Sequence, residues 1–146
     1  MAANDHPRIY RSSGADSRDN RDIRGRFQAA QAEVDRFWSH VDLSDPRGCW
    51  PWIGTVTSDG KYGRFLVTVE PGVRRYVRAH RYAWLLLVGP IAPGHTLDHL
   101  IGPGEPCTTT ACVRVFGHLE SVSNSENLRR RHERDARRRR LNGATQ

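Results

Sequence analysis

Lysine is almost missing from this chain of 146 residues: Lys61 is the single lysine among 23 basic residues, and arginine supplies the rest. Cysteine is scarce as well, at three, an odd number that argues against a disulfide framework in a reducing compartment. Long apolar runs are absent. The longest, around Ala83 to Val88, falls far short of the roughly 18 residues a membrane-spanning helix needs. The N-terminus, MAANDHPRIYRSS, has no apolar core of the kind a secretory signal requires, so the expected compartment is the cytoplasm and no membrane partner is expected.

What is present is positive charge. A formal net charge of +7 points to a polyanionic partner, nucleic acid first. Arginine suits bidentate phosphate contacts, although an arginine excess equally follows from a GC-rich coding sequence. With 37% hydrophobic residues the chain holds one modest core and tails.

Residues 1–25 mix Arg, Asp, Asn, Ser and Gly with few large apolar side chains, which predicts a disordered arm. From Arg26 to Val41, Phe27, Ala30, Val34, Phe37, Trp38 and Val41 recur at helical spacing. The segment from Cys49 to His80 predicts a three-stranded antiparallel meander, with turns at Asp59-Gly60 and Pro71-Gly72, and with Trp50 and Trp52 packed on the following helix. Arg78 to Val88 predicts an apolar covering helix ended by Gly89-Pro90, with His80 as a satisfied structural imidazole. Ser123 and Glu126 form a capping-box pattern that starts a last helix at about Asn124, with Arg130, Arg134, Arg137 and Arg138 on one face. That basic helix reaches Arg140, and Leu141 to Gln146 should fray.

Between these helices lies Leu97 to Arg131, LDHLIGPGEPCTTTACVRVFGHLESVSNSENLRRR. Asp98 offers a hard carboxylate oxygen and His118 an imidazole nitrogen, so together they are candidates to hold one divalent ion. His99 is the candidate general base, since a free imidazole with a pKa of about 6.5 accepts a proton near neutral pH. A metal ion and a base are what phosphodiester hydrolysis needs: one stabilises charge on the phosphorane, the other activates water. Neighbours on a regular strand face opposite ways, so Asp98 and His99 should sit at a strand end or bulge to serve one centre.

The blocks LDHL, Cys112-Val113, GHLE and SVSNSENLRR, preceded by FWSHVD, GCWPWIG, GKYGRF and AHRYAW, resemble the phage and intron-type HNH endonucleases. The resemblance runs from about Arg36 to Arg131 and implies an α+β fold: an N-terminal helix, a β-meander with a covering helix, a ββα-metal core over about 96–131, and a basic C-terminal helix. It places the endonuclease domain at 26–131, between the arm at 1–25 and an extension at 132–146. It implies a metal-dependent DNA endonuclease with Asp98 and His118 as ligands, His99 as base, and Mg²⁺ or Mn²⁺ ahead of Zn²⁺ or Ni²⁺. The family's usual Asn-Pro step is Arg114-Val115 here, so its middle Asn has no assigned counterpart; Thr109, Thr110 and Asn127 are the candidates for that supporting role. Arg129 and Arg130 are the expected phosphate contacts, with Arg64, Arg78 and Arg81 behind them. Phage terminase or packaging proteins are further candidate partners.

Two other readings stand beside this one. A catalytically silent DNA-binding module would keep the fold and charge without hydrolysis. Cys107-x4-Cys112 with Cys49 and a histidine such as His95 could instead hold structural zinc, although small buried cysteines without metal are common.

Overall fold

The computed structural model describes residues 31–144. The expected N-terminal arm, the first part of the helix predicted from Arg26, and Thr145-Gln146 lie outside the described residues. Within them the fold is mixed α+β, with three helices and two small antiparallel sheets. No described helix is long and apolar enough to cross a membrane.

Helix α1 (Gln31–Trp38) carries Phe37 into the centre of the core. There Phe37 meets Trp52, Phe65 and Tyr82 with ring centroids 5.3, 5.1 and 4.8 Å away. Strands β1 (Arg64–Glu70) and β2 (Val73–Arg78) form a hairpin whose alternation buries Phe65, Val67 and Val77 and turns Leu66, Tyr76 and Arg74 outward. Gly72, at φ +76°, makes the predicted turn possible. Helix α2 (Ala79–Leu87) follows without a loop and buries Tyr82, Ala83, Leu85 and Leu86 on the same core. Glu33 ties these parts together, accepting from Tyr82 Oη at 3.0 Å and from the Thr68 amide at 3.4 Å.

The predicted third strand of the meander does not form. Pro51 has no N–H to donate, and the segment around it pairs elsewhere: Trp52 N donates to Ala111 O and Val113 N to Trp50 O, while Ile53 N donates to His40 O. Trp50-Trp52 is therefore a seam between the end of α1 and the loop at 111–113. Trp52 packs against Phe37 of α1 and Phe65 of β1, in the same core as Ala79 and Tyr82 of the helix that follows the hairpin. Gly63 is obligatory at this seam, because a Cβ there would stand 2.5 Å from the Trp52 ring and 2.9 Å from Ala79 Cβ.

Strands β3 (His95–His99) and β4 (Leu119–Ser123) pair antiparallel in unbroken register, and helix α3 (Asn124–Gly143) leaves β4 directly. Ser123 is its N-cap, its hydroxyl accepting from Glu126 N, as the capping pattern predicts. The helix continues past Arg140 to Gly143, beyond the point where the sequence predicts fraying, and buries no residue.

Candidate metal centre and nucleic-acid interface

The 19 residues between β3 and β4 form an irregular loop that returns His118 to the side of β3, with Leu100 N donating to His118 O. Gly117 at φ +78° makes the last bend before His118. Cys107 and Cys112 are buried in this loop, and Cys49 arrives from the seam before Trp50. One donor atom from each of Cys49, Cys107, Cys112 and His118 lies within 4.8 Å of the others, a cluster that could hold a metal ion. Cys49 Sγ is 3.8 Å from Cys107 Sγ, and His118 Nδ1 is 3.6 Å from Cys49 Sγ and 3.7 Å from Cys112 Sγ. Around a tetrahedral ion with bonds of about 2.3 Å to sulfur and 2.0–2.1 Å to nitrogen, such donors stand about 3.8 Å (S to S) and 3.6 Å (S to N) apart. The donor set fits.

Electrostatics favours a cation here. The hydrogen bond from the Cys107 thiol holds Cys112 well below the ordinary thiol value, with burial opposing it. The same bond, helped by burial, drives Cys107 up. A bound cation would remove that asymmetry by taking both as thiolates. The scaffold around Cys49 is braced: Arg114 donates to Pro46 O and Gly48 O and stacks its guanidinium over Trp50. Thr109 Oγ1 accepts from Ala111 N and Thr110 Oγ1 donates to Lys61 O, so both threonines, two of the candidates for the supporting role, bond within or across the loop.

This arrangement corrects two expectations. The sequence pairs His118 with Asp98 as the two ligands of a catalytic ion, but the buried Nδ1 of His118 faces the thiols. For structural zinc the sequence offers a histidine such as His95; that residue lies instead beside Ser121 Oγ, and His118 stands with the cysteines.

Asp98 belongs to a different neighbourhood. Arg134 grips its carboxylate with both terminal nitrogens, at 2.9 Å to Oδ1 and 3.2 Å to Oδ2. Arg130 Nη1 reaches Oδ2 at 3.4 Å and the carboxylate of Glu120, the cross-strand partner of Asp98, at 2.7 Å. These residues line an open groove between β3 and α3, together with Gly102, Pro103, Glu105, Arg129, Glu133 and Arg137. Arg129 is exposed and paired with Glu126 and Glu133. Asn127 is half-buried in the first turn of α3 and does not line the groove.

His99 faces the other way. The unbroken register leaves no bulge, so the alternation of a regular strand sends Asp98 to α3 and His99 to the opposite side. There His99 Nε2 lies 3.0 Å from the Cys112 carbonyl, and its ring is 4.9 Å from His80 and 6.1 Å from Tyr62. Burial pushes His99 below the ordinary imidazole range, against the upward pull of the Cys112 carbonyl. His80 is driven well below that range by burial, then by His99 and the nearby arginines. Its Nδ1 is buried with no hydrogen-bond partner among the described residues, so the expectation of a satisfied imidazole fails at that atom.

Of the remaining arginines, Arg81 is buried at 5% exposure and is not presented to a phosphate. Arg64 stacks over Tyr76 at 4.0 Å and Arg78 over Tyr62 at 4.5 Å, both half-buried on the hairpin. No family model, no curated protein and no solved structure matches the chain.

Proposed function

We propose that this chain is a DNA endonuclease of the HNH kind, its ββα unit braced by zinc at Cys49, Cys107, Cys112 and His118, with His99 as the general base. The observation that supports hydrolysis is the state of His99. A carbonyl oxygen only accepts, so the bond to Cys112 O fixes the proton on Nε2 and leaves Nδ1 with its lone pair. Burial keeps the ring neutral. A neutral imidazole in a fixed tautomer can take a proton from water attacking phosphorus. The arginines Arg130, Arg134 and Arg137 line the groove on the opposite side of β3, where they would meet backbone phosphates at a distance from the base.

Three thiol donors favour zinc over magnesium or manganese, which prefer oxygen. Zinc in this closed set of four stabilises the loop and has no open position for substrate. With His118 committed there, Asp98 lacks the partner assigned to it for a separate catalytic ion, so the hydrolytic steps are derived from the chain's own groups.

One observation favours the rival reading of a DNA-binding module without hydrolysis: Asp98 is held by Arg134 and Arg130, and it points away from His99. Incubating the purified protein with supercoiled plasmid, with and without added Mg²⁺ or Mn²⁺, separates the two. Nicked or linear product that disappears in His99→Ala supports the endonuclease; DNA retention without any product supports the binder.

A further inference from the structure

The outward face of the β1–β2 hairpin is a basic surface that the groove at Asp98 does not use. Strand alternation places Arg64, Leu66 and Thr68 of β1 on this face, opposite Arg78, Tyr76 and Arg74 of β2. The other face is anchored in the core by Phe65, Val67 and Val77. These six outward positions carry three guanidinium groups and no carboxylate. Of the nearby acids, Asp59 sits in the preceding turn, bonded to Thr57 and to the Lys61 amide and within electrostatic reach of Arg78, and Glu70 lies past the register shift at the end of β1, so the uncompensated charge of the face lies toward Arg64 and Arg74.

The face also leads somewhere. Arg78 covers Tyr62 at 4.5 Å, and the Tyr62 ring in turn lies 5.5 Å from His80 and 6.1 Å from His99. A path therefore runs from Arg74 at the hairpin's far end, through Arg64, Tyr76 and Arg78, to the imidazole assigned as base. The groove at Asp98 lies on the other side of β3.

We propose that this hairpin face is a second DNA-binding surface, which seats in the major groove of a duplex arm running toward His99. The inference rests on the nucleic-acid reading above and adds to it a surface and a form of substrate. Charge complementarity selects a polyanion. Duplex is preferred over single strand because each tyrosine already carries a guanidinium on one ring face, Arg64 over Tyr76 and Arg78 over Tyr62, which reduces the platform offered to stacking bases. A two-stranded ribbon fits a major groove about 12 Å wide.

The test is salt-dependent binding of the full chain to a duplex and to a single strand of the same sequence, comparing wild type with Arg64→Ala/Arg74→Ala and with Arg64→Lys/Arg74→Lys. Each lost phosphate contact lowers the slope of log affinity against log salt by about 0.9. The alanine pair should therefore lower the duplex slope by about 2, and the lysine pair should restore most of it, because a point charge still meets a phosphate. The restoration also separates lost charge from a damaged fold. Single-strand binding should change little.

An unchanged duplex slope in the alanine pair overturns the hairpin surface while leaving the endonuclease reading intact. An equal loss on duplex and single strand overturns the assignment to a duplex groove. A wild-type protein that retains neither nucleic acid overturns both this inference and the proposed function.

Discussion

The two polar clusters flanking β3 differ in where their positive charge comes from. At Asp98 the chain supplies its own cations, and Arg134 and Arg130 close on a carboxylate whose side chain is 7% exposed. At Cys49, Cys107, Cys112 and His118 the donors turn to one another, and one thiol is pulled toward its anion at the expense of its neighbour. The first cluster is electrostatically complete; the second is a donor set that an ion from outside could complete. The residue types alone suggest the reverse, since an Asp-His pair reads as a metal site and scattered cysteines read as core. Counter-charge decides.

The largest effect should come from breaking the cluster proposed to hold an outside ion. Structural zinc contributes about 10–16 kcal/mol to small finger peptides. Here the aromatic core around Phe37 carries part of the fold, so Cys112→Ser should unfold the loop between β3 and β4 while the hairpin and α2 survive. Metal analysis should fall from one zinc per chain to none, and amide exchange should accelerate in the loop but not in β1. A wild-type protein that holds no zinc, and melts identically with and without chelator, would falsify the assignment.

Next in size is the base. His99→Ala should lower cleavage by about 10² to 10⁴-fold, the usual worth of a positioned general base. DNA affinity should be nearly unchanged, because His99 lies outside the arginine groove. If the variant loses binding in step with cleavage, His99 is holding the fold or the DNA rather than moving a proton.

Much of the fold is legible because its signals are local. The Asp59-Gly60 and Pro71-Gly72 turns, the helix ended by Gly89 and the cap at Ser123 each depend on a few adjacent residues, and each is where the sequence puts it. What is not legible is non-local. Cys49 is brought to Cys107 across 58 residues by the Trp50-Trp52 seam, and the same seam removes the expected third strand. His118 rather than His95 completes the cluster because Gly117 bends the chain into it, whereas His95 is fixed in the β3 ladder. The divergence of Asp98 and His99 follows from a register that composition does not report.

Asp98 offers a smaller and opposite test. If Asp98 serves the reaction as a metal ligand, as the resemblance implies, Asp98→Ala impairs cleavage. In the binding-module reading, the same change frees Arg134 and Arg130 for phosphate, so affinity rises and the salt slope steepens by about 1 to 2. Plasmid nicking and salt titration on one variant thus decide between them, and a variant unaltered in both would remove Asp98 from either role.

The smallest effect concerns how the arginine groove is held. Since α3 buries no residue, its first turn depends on the Ser123 cap and on Glu126, which is bonded to Arg129 and Arg130. Ser123→Ala should cost about 1 kcal/mol, the usual worth of an N-cap, seen as faster amide exchange at Glu126 with little change in the melting of the core. Bonds from Arg129, then Arg130, hold the Glu126 carboxyl down at about 2, below its ordinary 4.5. A depressed carboxylate contributes stability above its unfolded pKa and loses it as pH falls through the folded one. The turn should therefore keep its exchange protection at about pH 5 and lose it between about pH 4.5 and 2, and Glu126→Gln should abolish that dependence. If protection in this turn is flat across the window in the wild type, the Glu126 pairs are surface contacts that do not position Arg130 against Asp98.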